Sequence, residues 1–499
     1  MTYSDNYIFL FLLISVAAAV ASYSLFSKIK KTIFYGKLRF LFVEILQVAL
    51  TLQWHQFRNG GKNWSFVDFF EEKVDKNPDV VQFITAEENR AVTLGGMERL
   101  ANQLAYWAKG MGLKEHDSVA VMMLNRPEMV TFWLGMAKIG VSSALINSNI
   151  SGKAFMHSVN LSLKDTEVKI LLVDSDLQKS LESELDQLRC DGVRVVFWDE
   201  LEKTSSTYPT DRVSRSERRH IRERDPLIYI FTSGTTGLPK ACKLSSSKFL
   251  LNSMPVGVFL GMKPGDRFYN CLPLYHSAGG MLVTGGCIRS GATMVLRRKF
   301  SVRNFTPDCI RYRCVAMQYI GELCRYLANA PPNPDDINVG LKFAIGNGMR
   351  PDVWEKFQKR YGVDRIIEFY GATEGNVACF NSIGKVGAIG YMPYFMDKVK
   401  SMKLLRVDPE CKEKPLRGED GRCLLAKYNE VGLLVSKIDP RNVSTRFDGY
   451  TDSSSTEKKI LCDVFEPGDR YYNSGDLMSR DEEGFFYWSD RVGDTFRWK

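Results

Sequence analysis

The stretch Leu227 to Lys240, Leu-Ile-Tyr-Ile-Phe-Thr-Ser-Gly-Thr-Thr-Gly-Leu-Pro-Lys, decides the fold of this chain. Its first five residues are apolar or aromatic and predict a short buried strand. The nine residues from Thr232 to Lys240 carry four hydroxyl side chains, two glycines and one lysine. Glycines let backbone N–H groups approach phosphate oxygens, hydroxyls donate further hydrogen bonds, and the lysine adds a positive charge. A buried strand that runs into such a loop predicts an α/β protein that binds a triphosphate.

The loop differs from a Walker P-loop around its lysine. Pro239 precedes Lys240 and disfavours helix at Leu238. Ala241 stands where the Walker pattern has the serine or threonine that binds magnesium. An ordinary turn of glycine, serine and threonine is the alternative interpretation. The density of hydroxyls and glycines directly after a strand favours the phosphate site.

The composition is that of a globular protein. With 499 residues, 44% hydrophobic and 25% charged, the chain is long enough for two domains or one large multi-lobed domain. The formal net charge of +9 suits an anionic membrane surface or a nucleotide, and we expect no nucleic-acid partner. The eleven cysteines include no C-x-x-C pair, which favours reduced thiols in a cytosolic body and predicts no structural metal site.

The amino-terminal residues predict a membrane anchor. Tyr7 to Phe26 contains no charged residue and is about long enough to span a bilayer as a helix. The basic residues that follow favour a cytosolic body by the positive-inside rule; they are Lys28, Lys30, Lys31, Lys37 and Arg39. A cleaved signal peptide is the alternative, because Ala19-Val20-Ala21 resembles a cleavage site.

Residues 27–63 predict a basic, amphipathic segment next to the membrane. Within it, Leu38 to Leu52 either lies on the membrane or forms a core helix. The sequence therefore predicts a single-pass protein in the membrane of the endoplasmic reticulum or in the plasma membrane, with its body in the cytosol.

Apolar periodicity after residue 64 predicts alternating helices and strands. Helical spacing covers Phe66 to Lys76, Glu98 to Lys109 and Leu177 to Leu188, and buried strands are predicted at Ser118 to Leu124, Lys169 to Val173 and Val193 to Trp198. The basic run Arg212 to Arg224 predicts a solvated linker. From Lys403 onward, short segments separated by turns predict a compact β-rich lobe.

Four motifs, in order along the chain, resemble the signatures of the adenylate-forming superfamily, which includes acyl-CoA synthetases, luciferases and the adenylation domains of peptide synthetases. Tyr229 through Lys240 resembles its phosphate loop. Tyr370-Gly371-Ala372-Thr373-Glu374 is similar to its adenine and magnesium motif, Ser474-Gly475-Asp476 to its ribose-binding aspartate, and Asp490-Arg491 to the start of its hinge motif.

Further segments resemble one subfamily, the fatty-acid transport proteins, also called very-long-chain acyl-CoA synthetases. They are Cys271 to Gly279, Gln318 to Leu327, Gly346 to Arg350 and Gly493 to Lys499. The resemblance runs from about Trp64 to the last residue. It implies an AMP-binding domain at 64–489 made of two α/β subdomains and a β-rich lobe, then a hinge at 490–499. The implied activity is ATP-dependent conversion of long- or very-long-chain fatty acids to acyl-adenylate and acyl-CoA, coupled to uptake or lipid metabolism.

The resemblance also implies the residues of the site. Glu374 would bind Mg²⁺, because a hard cation prefers carboxylate oxygen, and Asp476 can accept hydrogen bonds from both ribose hydroxyls. The implied catalytic residues are Thr232, Lys240, His276, Thr373 and Glu374. The implied nucleotide-binding residues are Tyr229, Ser233, Gly234, Thr235, Thr236, Gly237, Gly346, Asn347, Gly348, Tyr370, Gly371, Ala372, Asp476 and Arg491. ATP, Mg²⁺ and coenzyme A as co-substrate are the expected ligands.

Three of these assignments have structural alternatives. His276 taken alone is better explained as a packing histidine, whereas its place in the Pro-Leu-Tyr-His-Ser motif favours a functional role. Gly346 to Gly348 is also an ordinary turn around an asparagine, and the aromatic pair Phe369-Tyr370 is also typical of a core.

Members of that subfamily continue beyond the Arg-Trp-Lys at which this sequence stops, with a small, mobile α+β domain that rotates about the hinge. We therefore expect that domain to be absent here and both half-reactions to suffer. Three hypotheses follow: a fatty acyl-CoA synthetase, an inactive relative that binds ATP or fatty acid, and a membrane facilitator of fatty-acid uptake. The fatty acid and the membrane are the expected partners, and the sequence leaves a homo-oligomer open.

Overall fold

The computed structural model describes residues 65–232, 237–392, 402–408 and 414–492. Its strands form three sheets. The strands are β1 (Val81–Thr85), β2 (Arg90–Thr93), β3 (Ser118–Met122), β4 (Ser142–Leu145), β5 (Ile170–Val173), β6 (Arg194–Phe197), β7 (Pro226–Thr232), β8 (Lys240–Ser245), β9 (Arg267–Asn270), β10 (Thr293–Leu296), β11 (Ala316–Ile320), β12 (Phe343–Asn347), β13 (Arg365–Gly371), β14 (Ala378–Asn381), β15 (Gly390–Tyr391), β16 (Met402–Arg406), β17 (Gly432–Lys437), β18 (Ile460–Cys462), β19 (Arg470–Arg480) and β20 (Phe485–Arg491).

Helices connect the strands of the first two sheets. The α-helices are α1 (Phe66–Lys76), α2 (Leu94–Gly110), α3 (Pro127–Lys138), α4 (Gly152–Ser162), α5 (Glu182–Cys190), α6 (Trp198–Ser205), α7 (Ser246–Asn252), α8 (Met254–Leu260), α9 (Thr284–Ser290), α10 (Val302–Arg311), α11 (Gly321–Asn329), α12 (Pro351–Tyr361) and α13 (Ser453–Glu457). Three 3₁₀ turns lie at Ser175–Ser180, Arg215–Arg218 and Asp336–Asn338, and a π-helix spans Ser277–Val283.

The first sheet has eight strands in the order β14-β13-β12-β11-β9-β10-β1-β2. Its six inner strands are parallel, and an antiparallel strand closes each edge. The second sheet has six strands in the order β6-β5-β3-β4-β7-β8, parallel except for the edge strand β8. Helical crossovers between parallel strands define the α/β class, so the α/β part of the predicted fold class is confirmed.

One hydrophobic core joins these two sheets. It includes Phe83 of the first sheet, Ile228 of the second and Trp133 of α3. Every residue of α3 is buried, and its two charged residues, Glu128 and Lys138, have ion-pair partners, as buried charges require. The Trp133 ring lies 5.4 Å from that of Phe249 on α7. The helix that follows the β7–β8 hairpin is thereby fixed to the common core.

The third sheet is antiparallel and has its own cores. Its strand order is β15-β20-β19-β17-β16, with β18 paired to β19, and residues such as Leu434 and Tyr472 fill one of its cores. The β-rich lobe predicted from Lys403 onward corresponds to this sheet and the segments that connect its strands. We call the described residues 402–408 and 414–492 the third lobe.

Most predicted elements are present, and two predictions need correction. The helix predicted at Phe66–Lys76 has those bounds. The helix predicted from Leu177 to Leu188 is instead a 3₁₀ turn and α5, separated at Leu181. The expectation of a solvated linker at Arg212 to Arg224 was wrong for Arg218, which is 2% exposed. Its guanidinium lies 2.7 Å from the Glu71 carboxylate of α1, because a buried charge requires a partner.

The predicted anchor Tyr7 to Phe26 and the segment 27–63 lie outside the described residues, as does most of the predicted hinge at 490–499. Within the described ranges, no helix combines the length and apolar character needed to cross a membrane. The anchor therefore stays a prediction.

Candidate active site

The predicted phosphate loop begins at the end of β7 and ends at the start of β8, and these two strands pair antiparallel as a hairpin. Thr232 and Lys240 face each other in the register of the two strands, and the Thr232 hydroxyl lies 3.4 Å from the Cys242 sulfur. Gly237 has a φ of +85°, which glycine adopts without strain. Ser233, Gly234, Thr235 and Thr236 lie outside the described residues. Thr232 and Lys240, the two ends of the loop, therefore lie at the edge of the second sheet.

The third lobe is bonded to this hairpin through strand β8. The backbone N–H of Thr451 donates to the Ala241 carbonyl at 3.0 Å, and that of Lys243 donates to the Gly449 carbonyl at 3.3 Å. Tyr450, between these two contacts, forms an isolated antiparallel β-bridge with Cys242 through the backbone. Its ring lies 5.5 Å from the Lys240 ammonium. Lys240 is thus brought next to a tyrosine of the third lobe that no motif indicated.

Tyr229 lies apart from this cluster. It stands inside β7, opposite Lys243, and its side chain packs against the core of the second sheet. Burial raises the pKa of its phenol. Its predicted role in nucleotide binding stays a prediction.

The predicted adenine turn, Gly346 to Gly348, ends strand β12 in a crowded place. A Cβ on Gly346 would lie 2.1 Å from the Tyr319 carbonyl oxygen, and one on Gly321 would lie 1.8 Å from the Gly348 carbonyl oxygen. Gly348 itself has a φ of +77°. Asn347 is exposed. Close backbone packing therefore requires glycine on the inner side of the turn. Its outer side, at Asn347 and Gly348, is accessible to solvent.

A buried carboxyl group is hydrogen-bonded to the backbone directly after this turn. Glu368 of β13, 1% exposed, accepts a hydrogen bond from the Met349 N–H at 3.1 Å and another from the Tyr319 hydroxyl. Burial raises the pKa of Glu368 to about 7, although these hydrogen bonds oppose the rise. No motif indicated Glu368, but a glutamate inside an apolar strand is itself a signal.

Asp476, the predicted ribose aspartate, is linked to the first sheet by a tyrosine. The Tyr370 hydroxyl at the end of β13 donates to the Asp476 carboxylate at 2.5 Å. Arg491 is paired with Asp476 in the β19–β20 register and its guanidinium lies 3.8 Å from that carboxylate. Burial raises the pKa of Asp476, and the Tyr370 hydrogen bond and the charges of Arg491 and Lys459 oppose the rise. The two motifs, over a hundred positions apart, thus meet in one place.

Glu374, the predicted magnesium ligand, is 6% exposed and lies among tyrosines of the third lobe. The Tyr472 hydroxyl donates to its carboxylate at 3.5 Å. Burial and the Glu374 charge together raise the pKa of Tyr450. The backbone after Glu374 is held by Lys248 of α7, whose ammonium donates to the Gly375 carbonyl at 3.3 Å and lies 3.7 Å from Asp448. The carboxylate thus has a hydrogen-bond donor from the third lobe, and the backbone that follows it is held by α7.

Thr373 is hydrogen-bonded to Ser277, the residue that follows His276. The Ser277 hydroxyl, which begins the π-helix, lies 2.9 Å from that of Thr373. His276 is exposed and its ring lies 4.7 Å from that of Tyr275. Desolvation by the surrounding protein lowers the pKa of His276, which favours the neutral imidazole near pH 7. Gly371 is exposed and Ala372 half-buried beside this cluster.

The comparisons with known proteins agree with this architecture. A family model described as AMP-binding enzyme matches residues 70–426, so the chain belongs to the AMP-binding enzymes. Long-chain fatty acid transport protein 2 of Rattus norvegicus is 39% identical over 469 residues, which cover 91% of this chain and 73% of that protein. Long-chain fatty acid transport protein 6 of Mus musculus is 37% identical, with the same two coverages. Within the AMP-binding enzymes, the chain belongs to the long-chain fatty acid transport proteins.

Solved structures show the same fold. ATP-bound MatB from Rhodopseudomonas palustris has a TM-score of 0.67 and 19% identity, over 85% of this chain and 78% of that one. The N-terminal domain of FACL13 from Mycobacterium tuberculosis has a TM-score of 0.65 and 17% identity, over 86% of this chain and all of that one. At such identities the likeness supports the adenylate-forming fold alone.

Proposed function

We propose that this chain activates long-chain fatty acids with ATP, first to the acyl-adenylate and then, with coenzyme A, to the acyl-CoA thioester. The observation that carries the proposal is the meeting of Glu374, Asp476 and the β7–β8 hairpin around Tyr450 and Tyr472. Membership of the AMP-binding enzymes supports the general class of activity, that of an adenylate-forming ligase. The fatty-acid substrate rests on the names of the relatives and on the resemblance.

In the first step, a carboxylate oxygen of the fatty acid forms a bond to the α-phosphorus of ATP. The bond from that phosphorus to the bridging oxygen of the β-phosphate breaks, and pyrophosphate leaves. Negative charge grows on the phosphoryl oxygens, so fixed cations and donors stabilise the transition state. Lys240 and the hydroxyls of Thr232 and Thr373 would supply them. His276, neutral near pH 7, would donate a hydrogen bond to the incoming carboxylate.

Glu374 fits a magnesium ligand because it is an acceptor-only group whose nearest partner is a neutral tyrosine hydroxyl. In the described part of the chain, no three carboxylate, histidine or cysteine groups converge to hold a metal. A single carboxylate is sufficient for Mg²⁺, which keeps waters and takes its other ligands from substrate phosphates. When bound, the ion would neutralise phosphate charge. Asp476 and Arg491 would hold the ribose, and the Gly346 to Gly348 turn would lie along the adenine.

In the second step, the coenzyme A sulfur attacks the acyl carbonyl carbon. The bond to the AMP oxygen breaks, AMP leaves, and the thiol proton passes to solvent. We propose no residue of this chain as the base, because a neutral thiol near its ordinary pKa already supplies thiolate at pH 7 to 8.

Pyrophosphate release by the full chain tests the proposal. We expect release that depends on acyl chain length, with palmitate or a longer acid faster than octanoate and acetate, and acyl-CoA in the mass spectrum only when coenzyme A is added. Glu374→Gln should reduce the rate by roughly 10²- to 10³-fold, which excludes a contaminating synthetase. Glu355→Gln, an exposed carboxylate on α12, is the matched control and should retain the rate. ATP binding without release under any condition would instead support an inactive relative.

The printed names of the relatives favour a second candidate, facilitated uptake of fatty acid. Labelled fatty-acid uptake by cells that express the wild type or Glu374→Gln separates the two roles. Loss of uptake in the variant would mean that activation drives uptake. Uptake that persists in the variant would support a facilitator independent of acyl-CoA synthesis.

We further propose that the predicted anchor holds the body in the cytosol. Asn149 and Asn442, each the first residue of an Asn-x-Ser sequon, are exposed, so both would be accessible to glycosylation in the lumen. We expect neither to be glycosylated in cells. Removal of a glycan from either asparagine by an endoglycosidase would contradict the cytosolic orientation.

A further inference from the structure

Lys459 lies at the candidate active site although no motif covers it. It stands between α13 and β18 of the third lobe, and its ammonium donates a hydrogen bond to the Ser474 carbonyl at 3.2 Å. A Cβ on Gly475 would lie 3.6 Å from the same nitrogen. The ammonium group therefore lies over the Ser474-Gly475-Asp476 segment.

The charges around this ammonium belong to the candidate nucleotide site. Burial lowers the pKa of Lys459, and the carboxylates of Glu374 and Asp476 oppose that change, while Arg491 and Lys240 reinforce it. Lys459 is thus within electrostatic range of the four charged side chains proposed to bind ribose, magnesium and phosphate. Two of these are anions and two are cations.

The bonding of Lys459 differs from that of a cation that only compensates buried carboxylates. Lys138 of the main core illustrates compensation, because its ammonium lies 2.6 Å from Glu71 and 3.0 Å from Glu98. Among the described residues, Lys459 pairs with no carboxylate at such distances, and its one hydrogen bond goes to a neutral carbonyl. An ammonium group has three N–H donors. Two of them are left for a ligand.

We propose that Lys459 is a further nucleotide-binding residue, which donates to the α-phosphate of ATP and of the acyl-adenylate. The proposal rests on the proposed function. If Asp476 holds the ribose and Glu374 the magnesium at the polyphosphate, the group between them is the α-phosphate, which joins the two. A cation fixed there also meets the charge that grows on the phosphoryl oxygens as the acyl–phosphate bond forms.

Nucleotide affinities of the full chain test the proposal. Lys459→Met keeps the unbranched stem and removes the charge, and Lys458→Met, at an exposed neighbouring lysine, is the matched control. We expect Lys459→Met to weaken ATP and AMP by about 10- to 100-fold, the effect of a lost hydrogen bond to a charged group, and to leave adenosine unchanged. Lys458→Met should bind all three as the wild type does. Calorimetric titration measures each dissociation constant.

Other results would overturn it. Unchanged affinity for ATP and AMP, or an equal loss for adenosine, would mean that Lys459 does not contact phosphate. If Lys459→Met does not fold, Lys459→Gln keeps a donor for the Ser474 carbonyl and should show the same phosphate-dependent loss. A wild type that binds no ATP would contradict the proposed function itself, whereas an ATP-binding wild type with an indifferent variant would contradict only this inference.

Discussion

Two regions of the candidate site are built by different physical means. The glycine turn, Gly346 to Gly348, is placed by close backbone contacts and by one buried carboxyl, Glu368. The carboxylate cluster, Glu374 and Asp476 with their tyrosines, is assembled from two sheets by side-chain hydrogen bonds and charge. Changes in the turn should therefore act through folding. Changes in the cluster should act through ligand affinity and leave the fold intact.

The strongest test of the turn is the pH dependence of its buried carboxyl. The pKa of Glu368 rises from its ordinary 4.5 to about 7, so the folded state binds the proton more tightly than the unfolded state. Its contribution to stability is complete below the unfolded pKa and is lost as the pH rises through the folded pKa, roughly 3 kcal/mol at 1.36 kcal/mol per unit. Glu368→Gln, neutral at every pH, should remove this loss.

Urea unfolding between about pH 5 and about pH 8 measures this effect. We expect the wild type to lose stability relative to Glu368→Gln as the pH rises. Glu355→Gln on the surface of α12 is the control and should follow the wild type. A constant difference between wild type and Glu368→Gln over that range would mean that the glutamate does not titrate there.

Gly321→Ala tests the packing of the turn. The new Cβ would lie 1.8 Å from the Gly348 carbonyl oxygen, so either the turn or α11 must move, at a cost of about 2 to 3 kcal/mol in the free energy of unfolding. Gly257→Ala on α8 is the matched control, because a Cβ there meets nothing within 4 Å. This substitution should stabilise the helix by about 1 kcal/mol, since alanine has a higher helix propensity than glycine. Thermal unfolding of both variants checks the pair. Equal melting temperatures would show that the turn yields easily.

Asp476→Asn tests the carboxylate cluster. The amide keeps the size of the side chain and loses its charge, so the KM for ATP should rise about 30-fold, equivalent to about 2 kcal/mol for hydrogen bonds to a charged acceptor. The melting temperature without nucleotide should not fall. Glu419→Gln, an exposed carboxylate of the same lobe, should leave the KM unchanged. A large loss of stability with an unchanged KM would place Asp476 with the structural residues.

The same contrast explains what the sequence could and could not predict. The phosphate loop is a contiguous motif in which residue type and backbone geometry are directly linked, so its start at the end of strand β7 followed from pattern alone. Tyr450 and Lys459 belong to a segment of the third lobe that strand β8 bonds at residues 449–451. That contact joins two sheets, and no local periodicity encodes it.

Tyr370→Phe should have the smallest effect and separates hydrogen bonding from ring contact. The variant removes the hydroxyl that donates to Asp476 and keeps the ring, so the KM for ATP should rise by about fivefold, near 1 kcal/mol for one hydrogen bond. Tyr487→Phe is the matched control, because the Tyr487 hydroxyl donates to Asp481 at 2.9 Å in the same lobe and belongs to no candidate site. Its KM should equal that of the wild type. If the two variants raise the KM equally, the Tyr370 hydrogen bond stabilises the third lobe in general. That result would contradict a specific effect of the carboxylate cluster on nucleotide affinity.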